Sequence, residues 1–169
     1  MSREDLLRRV SQSITRVGRI GNSREAARIR AERSGVLVSR PGVAILAALH
    51  AGGPMRSSEA ARRTDLEAPL VSRELQKLLR EGYVTRRTDD TDGRAGILEL
   101  TPSGTRAFLA YRAATDEIVA ETFADWTSTD LHALADLLER VAVDFARVPE
   151  NGASGDAGKP PRAAANRAS

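Results

Sequence analysis

The side chains best suited to chemistry lie on one face of a predicted helix and on the hairpin that follows it. Between residues 68 and 80, apolar residues recur every three or four positions, as on the buried face of a helix: Val71, Leu75, Leu78 and Leu79. This spacing turns a polar face outward, made of Ala68, Pro69, Ser72, Arg73, Gln76 and Lys77. Hydroxyl, amide and cationic groups donate hydrogen bonds to phosphates and base edges. An ordinary solvated face has the same composition, so this helix alone does not decide the function.

The chain after this helix has the pattern of a two-stranded hairpin. Gly82 ends the helix, residues 83–87 alternate as in a strand, and residues 97–100 supply the return strand. The charged side chains of the hairpin include Arg86 and Arg87 at the base and Asp92 and Arg94 at the tip. An arginine at a narrow tip can enter the minor groove of DNA, where negative potential is concentrated, while Asp92 orients its guanidinium. The alternative is a surface hairpin with a local ion pair between Asp92 and Arg94.

A second short helix precedes the polar face, and together they have helix-turn-helix spacing. Ser57 or Ser58 is predicted to cap the first helix. Thr64 and Asp65 interrupt the pattern, and Pro69 lies in the first turn of the second helix. Such a pair of helices places the second one in the major groove, and a following hairpin can straddle phosphates.

Amphipathic helices flank this region on both sides. The first helix has an apolar stripe at Leu6, Leu7, Val10, Ile14, Val17 and Ile20, and a break separates it from an Arg-rich helix that starts at Ser23 and ends near Gly35. A third helix starts at the predicted cap Ser39. Beyond the hairpin, a long helix starts at Thr101 and a last one at Thr127 or Ser128. The last helix has a stripe at Leu131, Leu134, Leu138, Val141 and Phe145. A second copy of the chain would bury these stripes, and an intrachain helical bundle is the alternative.

These patterns predict a mainly α fold with a small two-stranded β wing: a winged helix-turn-helix plus a helical dimerisation region. N-terminal dimerisation helices are expected over residues 1–37, the winged helix-turn-helix DNA-binding region over 38–101 and C-terminal dimerisation helices over 102–148. Residues 149–169 are rich in Pro, Gly, Ala and Ser and are expected to be disordered.

The composition argues against several classes of function. The chain has no cysteine, and its two histidines, His50 and His132, are far apart, so no metal site is expected. It has no Gly-rich phosphate loop, nucleophile elbow or suitable carboxylate pair, so neither an enzyme nor a cofactor is expected.

No apolar run approaches the roughly 18–20 residues that cross a bilayer, and the first twelve residues lack an apolar signal core. A cytoplasmic protein without membrane contact is predicted.

Charge is distributed unevenly along the chain. Residues 1–40 carry ten arginines against four acidic residues, whereas residues 95–148 carry four arginines against nine acidic residues. Residues 56–94 hold nine Lys and Arg against eight Asp and Glu. Attraction to nucleic acid would therefore depend on the geometry of the basic side chains rather than on net charge.

Four segments in order resemble the MarR family of bacterial winged-helix transcription regulators, over roughly residues 5–147. "VLVSRPGVAILAAL" is similar to the family's second helix, and "SSEAARRTDLEAPLVSRELQKLLREGYVTRR" is similar to its reading head. "DTDGRAGILELTPSG" is similar to its wing, and "WTSTDLHALADLLERV" is similar to its last helix. Pro69 and Leu70 depart from the small polar residues common there, and Gly93 departs from a bulkier or charged residue at the wing tip.

The resemblance implies a homodimer whose first and last helices interlock. Such a dimer binds a palindromic operator in double-stranded DNA and often loses affinity when a small phenolic or anionic effector binds. The resemblance also places Ser72 and Arg73 in the recognition helix, and Asp92 and Arg94 at the wing tip.

An effector pocket is expected between the dimerisation helices and the reading head. The aromatic or titratable candidates there are His50, Tyr83, Tyr111 and Trp126, although such residues are more often packing residues. The alternative function is a winged-helix module that binds another protein through the surface assigned to DNA.

Overall fold

The structure, a computed structural model, describes residues 1–88 and 96–147. Within these ranges the chain forms seven helices and three short strands. In chain order they are α1 (Arg3–Gly21), α2 (Arg24–Ser34), α3 (Arg40–Gly52), β1 (Met55–Arg56), α4 (Ser57–Thr64), α5 (Ala68–Arg80), β2 (Val84–Thr88), β3 (Gly96–Leu100), α6 (Pro102–Thr122) and α7 (Ser128–Ala146). The contacts divide the chain into two units, Met1–Phe123 and Ala124–Ser169, and α7 lies in the second. The mainly α fold with a small β wing is confirmed.

Side-chain caps start most of the helices where the sequence predicts them. Ser23 accepts from the backbone N–H of Ala26, Ser39 from that of Gly42, Thr101 from that of Gly104 and Thr127 from that of Asp130. Each oxygen satisfies an amide in the first turn that has no partner within its own helix. The predicted break is also confirmed, because α1 ends at Gly21 and α2 begins at Arg24.

The predicted cap of α4 is wrong. Helix α4 begins at Ser57, its N-cap residue is Arg56, and no side chain makes a capping hydrogen bond there. The reason is that β1 runs directly into the helix, so Ser57 and Ser58 already lie inside the first turn.

The sheet has three strands in the described residues rather than the two predicted. Strand β3 lies between β1 and β2, and both pairings are antiparallel. Met55 of β1 pairs with Leu98, and Val84 of β2 pairs with Leu100. Strand β1 has only two residues, which is too short to show alternation in a sequence. Its pairing fixes the start of α4 to the sheet.

The core of the first unit lies where α3, α4 and α5 meet the sheet. Its largest fully buried side chains are Ile45, Leu46 and Val71. Leu79, predicted to be buried, is half-buried and packs against the edge of this core. Full burial of a side chain such as Ile45, Leu46 or Val71 stabilises the fold by about 1.5–3 kcal/mol. The apolar face of α5 is therefore fixed, and this sets the direction of its opposite face.

Candidate nucleic-acid interface

Helix α5 presents a polar face to solvent. Val71, Leu75 and Leu78 are at most 5% exposed, whereas the predicted outward residues are all exposed: Ala68, Pro69, Ser72, Arg73, Gln76 and Lys77. Arg80 is exposed on the same face, four residues after Gln76 and seven after Arg73. Arg80 was not among the outward residues predicted from the sequence, although its helical spacing identifies it. The exposed face thus combines hydroxyl, amide and guanidinium donors, which contact base edges and phosphates in nucleic-acid complexes.

Glu74 is a buried charge on the side of α5, and the sequence analysis did not identify it. The residue is 5% exposed. Its carboxylate accepts from Ser39 Oγ at 2.5 Å and from Lys77 Nζ at 2.7 Å. Since Ser39 is the N-cap of α3, Glu74 joins α5 to the start of α3. Burial favours the neutral acid, but the hydrogen bonds from Lys77 and Ser39 outweigh it and hold the pKa of Glu74 below its usual range.

Glu74→Gln should lower the free energy of unfolding at pH 7. It should also make that free energy depend less on pH between pH 3 and 7. A charged hydrogen-bonded group of this kind contributes about 1.5–3 kcal/mol. Because the folded pKa is lowered, this stabilisation is present above the unfolded pKa of about 4.3 and is lost as the pH falls through the folded pKa. Denaturant unfolding between pH 3 and 7 measures it, with Glu67→Gln at an exposed position as the control. Parallel pH profiles for the parent and Glu74→Gln would contradict the prediction.

A groove of about 340 Å³ runs between α5 and the sheet. Its lining includes Ser72 and Gln76 of α5, Arg86 of β2, Gly96 of β3, and Ser57 and Ser58 at the start of α4. Arg86 therefore borders the same groove as the polar face of α5. This places a strand arginine beside the helix that would read base edges.

The two arginines at the base of the hairpin lie on opposite faces of β2. Arg86 pairs with Leu98 and Arg87 with Ile97, and successive strand residues alternate in direction. Arg87 Nε lies 3.7 Å from the carboxylate of Glu99. The predicted wing-tip residues, Asp92 and Arg94, lie outside the described residues.

The four candidates for an effector pocket have different surroundings. The ring of His50 lies 4.8 Å from that of Phe108, and Tyr83 packs against the core. Tyr111 lines a small cavity of about 90 Å³ near the start of α2. Trp126 belongs to the second unit.

A wider cleft, which the sequence analysis did not predict, lies along α2 and the linker to α3. It measures about 930 Å³. Its lining includes Arg24, Ala27, Arg28, Ala31, Glu32, Leu37, Val38, Ser39 and Lys77. The apolar side chains of this lining suit a small molecule with an apolar body. Of its cationic groups, Arg28 is paired with Glu25 and Glu32, and Lys77 is paired with Glu74.

The part of the chain that the structure describes contains neither a metal-binding cluster nor a membrane-spanning helix. Within residues 1–88 and 96–147, no group of three or more His, Asp or Glu side chains could hold a metal ion. None of the helices in this part of the chain is both long and apolar enough to cross a membrane.

Comparison with known proteins points to one family. The MarR family model matches residues 38–95. A solved MarR family transcription regulator is 25% identical, with 86% of this chain and 96% of that one covered and a TM-score of 0.71. A probable transcriptional regulator from Pseudomonas aeruginosa is 28% identical, with 76% and 96% covered and a TM-score of 0.62. The PcaV transcriptional regulator from Streptomyces coelicolor, solved with its natural ligand, is 22% identical, with 84% and 92% covered and a TM-score of 0.52. No curated protein matches the sequence.

Proposed function

We propose that this chain, a member of the MarR family of transcriptional regulators, acts in the cytoplasm as a homodimeric repressor of a palindromic operator. The observation that carries the proposal is the exposed face of α5, which includes Ser72, Arg73 and Gln76. Ser72 and Gln76 also line the groove that Arg86 borders. The apolar side of α5 is buried in the core, so this polar face is the one available to a partner.

Helix α5 would lie in the major groove of double-stranded DNA. Ser72, Arg73 and Gln76 would face base edges, because bidentate arginine and amide side chains are the usual readers of guanine and adenine. Contacts with the phosphates on either side would come from Pro69 at the start of the helix, Lys77, Arg86 and Arg87. Asp92 and Arg94 would extend the contact into the minor groove.

A second copy of the chain would cover the exposed apolar stripes of α1 and α7. Val17 is 70% exposed in α1 and Phe145 is 61% exposed in α7. Large apolar surfaces of this kind mark interaction sites in soluble proteins. Two-fold symmetry would then place the two recognition helices on half-sites about one DNA turn, roughly 10 base pairs, apart.

A small phenolic or anionic effector would release the repressor from DNA. The wide cleft beside α2 supports this part of the proposal, since Lys77 and Ser39 both line it and both bind Glu74 of the recognition helix. His50, Tyr83, Tyr111 and Trp126 stay candidates for effector contacts, and Tyr111 already lines a cavity. The natural ligand of the PcaV structure is a precedent within the same fold.

Arg73→Ala should lower affinity for a specific operator far more than affinity for unrelated DNA. A base-edge contact discriminates by about 1–3 kcal/mol, which is roughly a five- to hundredfold loss on the operator, whereas a phosphate contact does not discriminate. The operator would be selected from a random-sequence duplex pool with the parent protein and compared with a scrambled duplex in gel-shift titrations. Arg112→Ala, which removes an exposed arginine from α6, is the control.

The titrations separate the alternatives. An equal loss on both duplexes would assign Arg73 to the DNA backbone instead of the base edges. A parent protein that enriches no duplex from the pool would contradict the DNA-binding proposal and favour the protein-binding module.

A further inference from the structure

The side chain of Arg86 crosses directly over Gly96 on the neighbouring strand. Arg86 pairs with Leu98 and Thr88 pairs with Gly96, so Arg86 and Gly96 are diagonal neighbours on one face of the hairpin. A Cβ atom built on Gly96 would overlap Arg86 Nε and would lie 2.6 Å from Cζ and 2.7 Å from Nη2. The guanidinium therefore occupies the space that any other residue at position 96 would fill.

Gly96 lies in the regular antiparallel pairing of β3 with β2, where it stands opposite Thr88, and a regular strand accepts any residue with a side chain. A glycine in a strand weakens the strand, and it often marks a place where another group approaches closely. Here the group that approaches is the arginine.

The path of Arg86 over Gly96 directs the guanidinium along the groove beside α5. Arg86, Gly96, Ser72 and Gln76 all line this groove. Arg86 is exposed, and an arginine side chain that lies along one path in the free protein loses less freedom when it binds a phosphate. A side chain at position 96 would displace the guanidinium from this path, whereas the flexible arginine would still fit elsewhere without disturbing the fold.

We propose that Gly96 is a positioning residue for DNA binding: because it has no side chain, it leaves the space in which Arg86 lies across the strand and extends toward a phosphate beside α5. The proposal rests on the proposed DNA-binding function. Gly96 would then affect DNA binding only through Arg86. The effects of substitutions at the two positions on DNA affinity should therefore be coupled.

A double-mutant cycle of Gly96→Ala and Arg86→Ala tests this coupling on the duplex selected with the parent protein. Gly96→Ala should weaken binding roughly three- to tenfold in the parent and have no effect in the Arg86→Ala background. Arg86→Ala should make the slope of log affinity against log salt concentration shallower by about one, which is the contribution of a single phosphate contact. The slope measured for Gly96→Ala should change in the same direction. Thermal unfolding of Gly96→Ala should occur at the parent's temperature or slightly above it, because alanine removes the cost of a glycine within a strand.

Each contrary result has a distinct meaning. Equal losses from Gly96→Ala in both backgrounds, an unchanged salt slope, or a large fall in the unfolding temperature would overturn the positioning role while the DNA-binding function stands. A parent protein that binds no duplex would overturn the DNA-binding function, and the role of Gly96 with it.

Discussion

A chain that lacks residues 1–20 should fail to give soluble, folded protein. The deletion removes nearly all of α1, none of whose residues is buried in the single chain. Its six stripe residues are between 41% and 70% exposed. A second copy can cover only the exposed half or so of each side chain, which stabilises the assembly by about 1 kcal/mol for each one. Six of them together give on the order of 6 kcal/mol, which is comparable with the roughly 5–15 kcal/mol of a whole domain, so we expect the fold to be lost when α1 is removed.

A point substitution on α1 tests the same surface with less disruption. Val10→Glu places a carboxylate in the middle of the stripe, where a second copy would have to bury it without a partner, and dimer affinity should fall by on the order of a hundredfold or more. Gln12→Glu adds the same charge on the opposite side of the helix and should leave the dimer intact. Sedimentation velocity at micromolar concentration measures both variants. A stable, folded monomer after the deletion would refute the proposal that the fold depends on a second copy of the chain.

Most of the helices and their starting points, α4 excepted, were predictable because the signals are local. The hydroxyls of Ser39, Thr101 and Thr127 each bond to an amide three residues later, so the cap and its partner lie within one short stretch of sequence. The outward face of α5 was predictable for the same reason, since periodicity alone fixes which side chains share a face. Arg80 follows from that rule as well.

Features that depend on distant residues were not predictable. Glu74 has the composition of a surface residue, and its partner Ser39 is 35 positions away in the sequence. Strand β1 exists only because Met55 and Arg56 meet Leu98 and Ile97. The path of Arg86 over Gly96 likewise depends on strand register. In each case tertiary packing brings together residues whose local sequence carries no sign of the contact.

Gly104→Ala should destabilise the fold by about 3 kcal/mol, because the new side chain would meet backbone rather than a flexible group. A Cβ on Gly104 would overlap the carbonyl oxygen of Tyr83 and would lie 2.8 Å from its carbonyl carbon. It would also lie 3.1 Å from Leu100 Cδ2. Neither the end of α5 nor the start of α6 can relieve the overlap by a change of rotamer.

The junction at Gly104 is also tied by hydrogen bonds that the overlap would pull apart. The backbone N–H of Thr101 donates to the Tyr83 carbonyl at 3.1 Å, and Thr101 Oγ1 donates to the Gly82 carbonyl at 2.7 Å. The same hydroxyl accepts from the backbone N–H of Gly104 at 2.9 Å. Moving α6 away from Tyr83 to make room for a methyl group would therefore weaken the cap of α6 as well as the attachment of β2.

Thermal unfolding at matched protein concentration measures the effect of Gly104→Ala. A loss of about 3 kcal/mol lowers the unfolding temperature of a chain of this size by roughly 6–12 °C. Ser103→Ala, in the same turn of α6, is the control and should shift it little. An unchanged unfolding temperature for Gly104→Ala would mean that α6 moves away from the Tyr83 carbonyl at little cost. In that event the α6 cap would not hold the base of the wing, and the orientation of β2 beside α5 would depend on its pairing with β3.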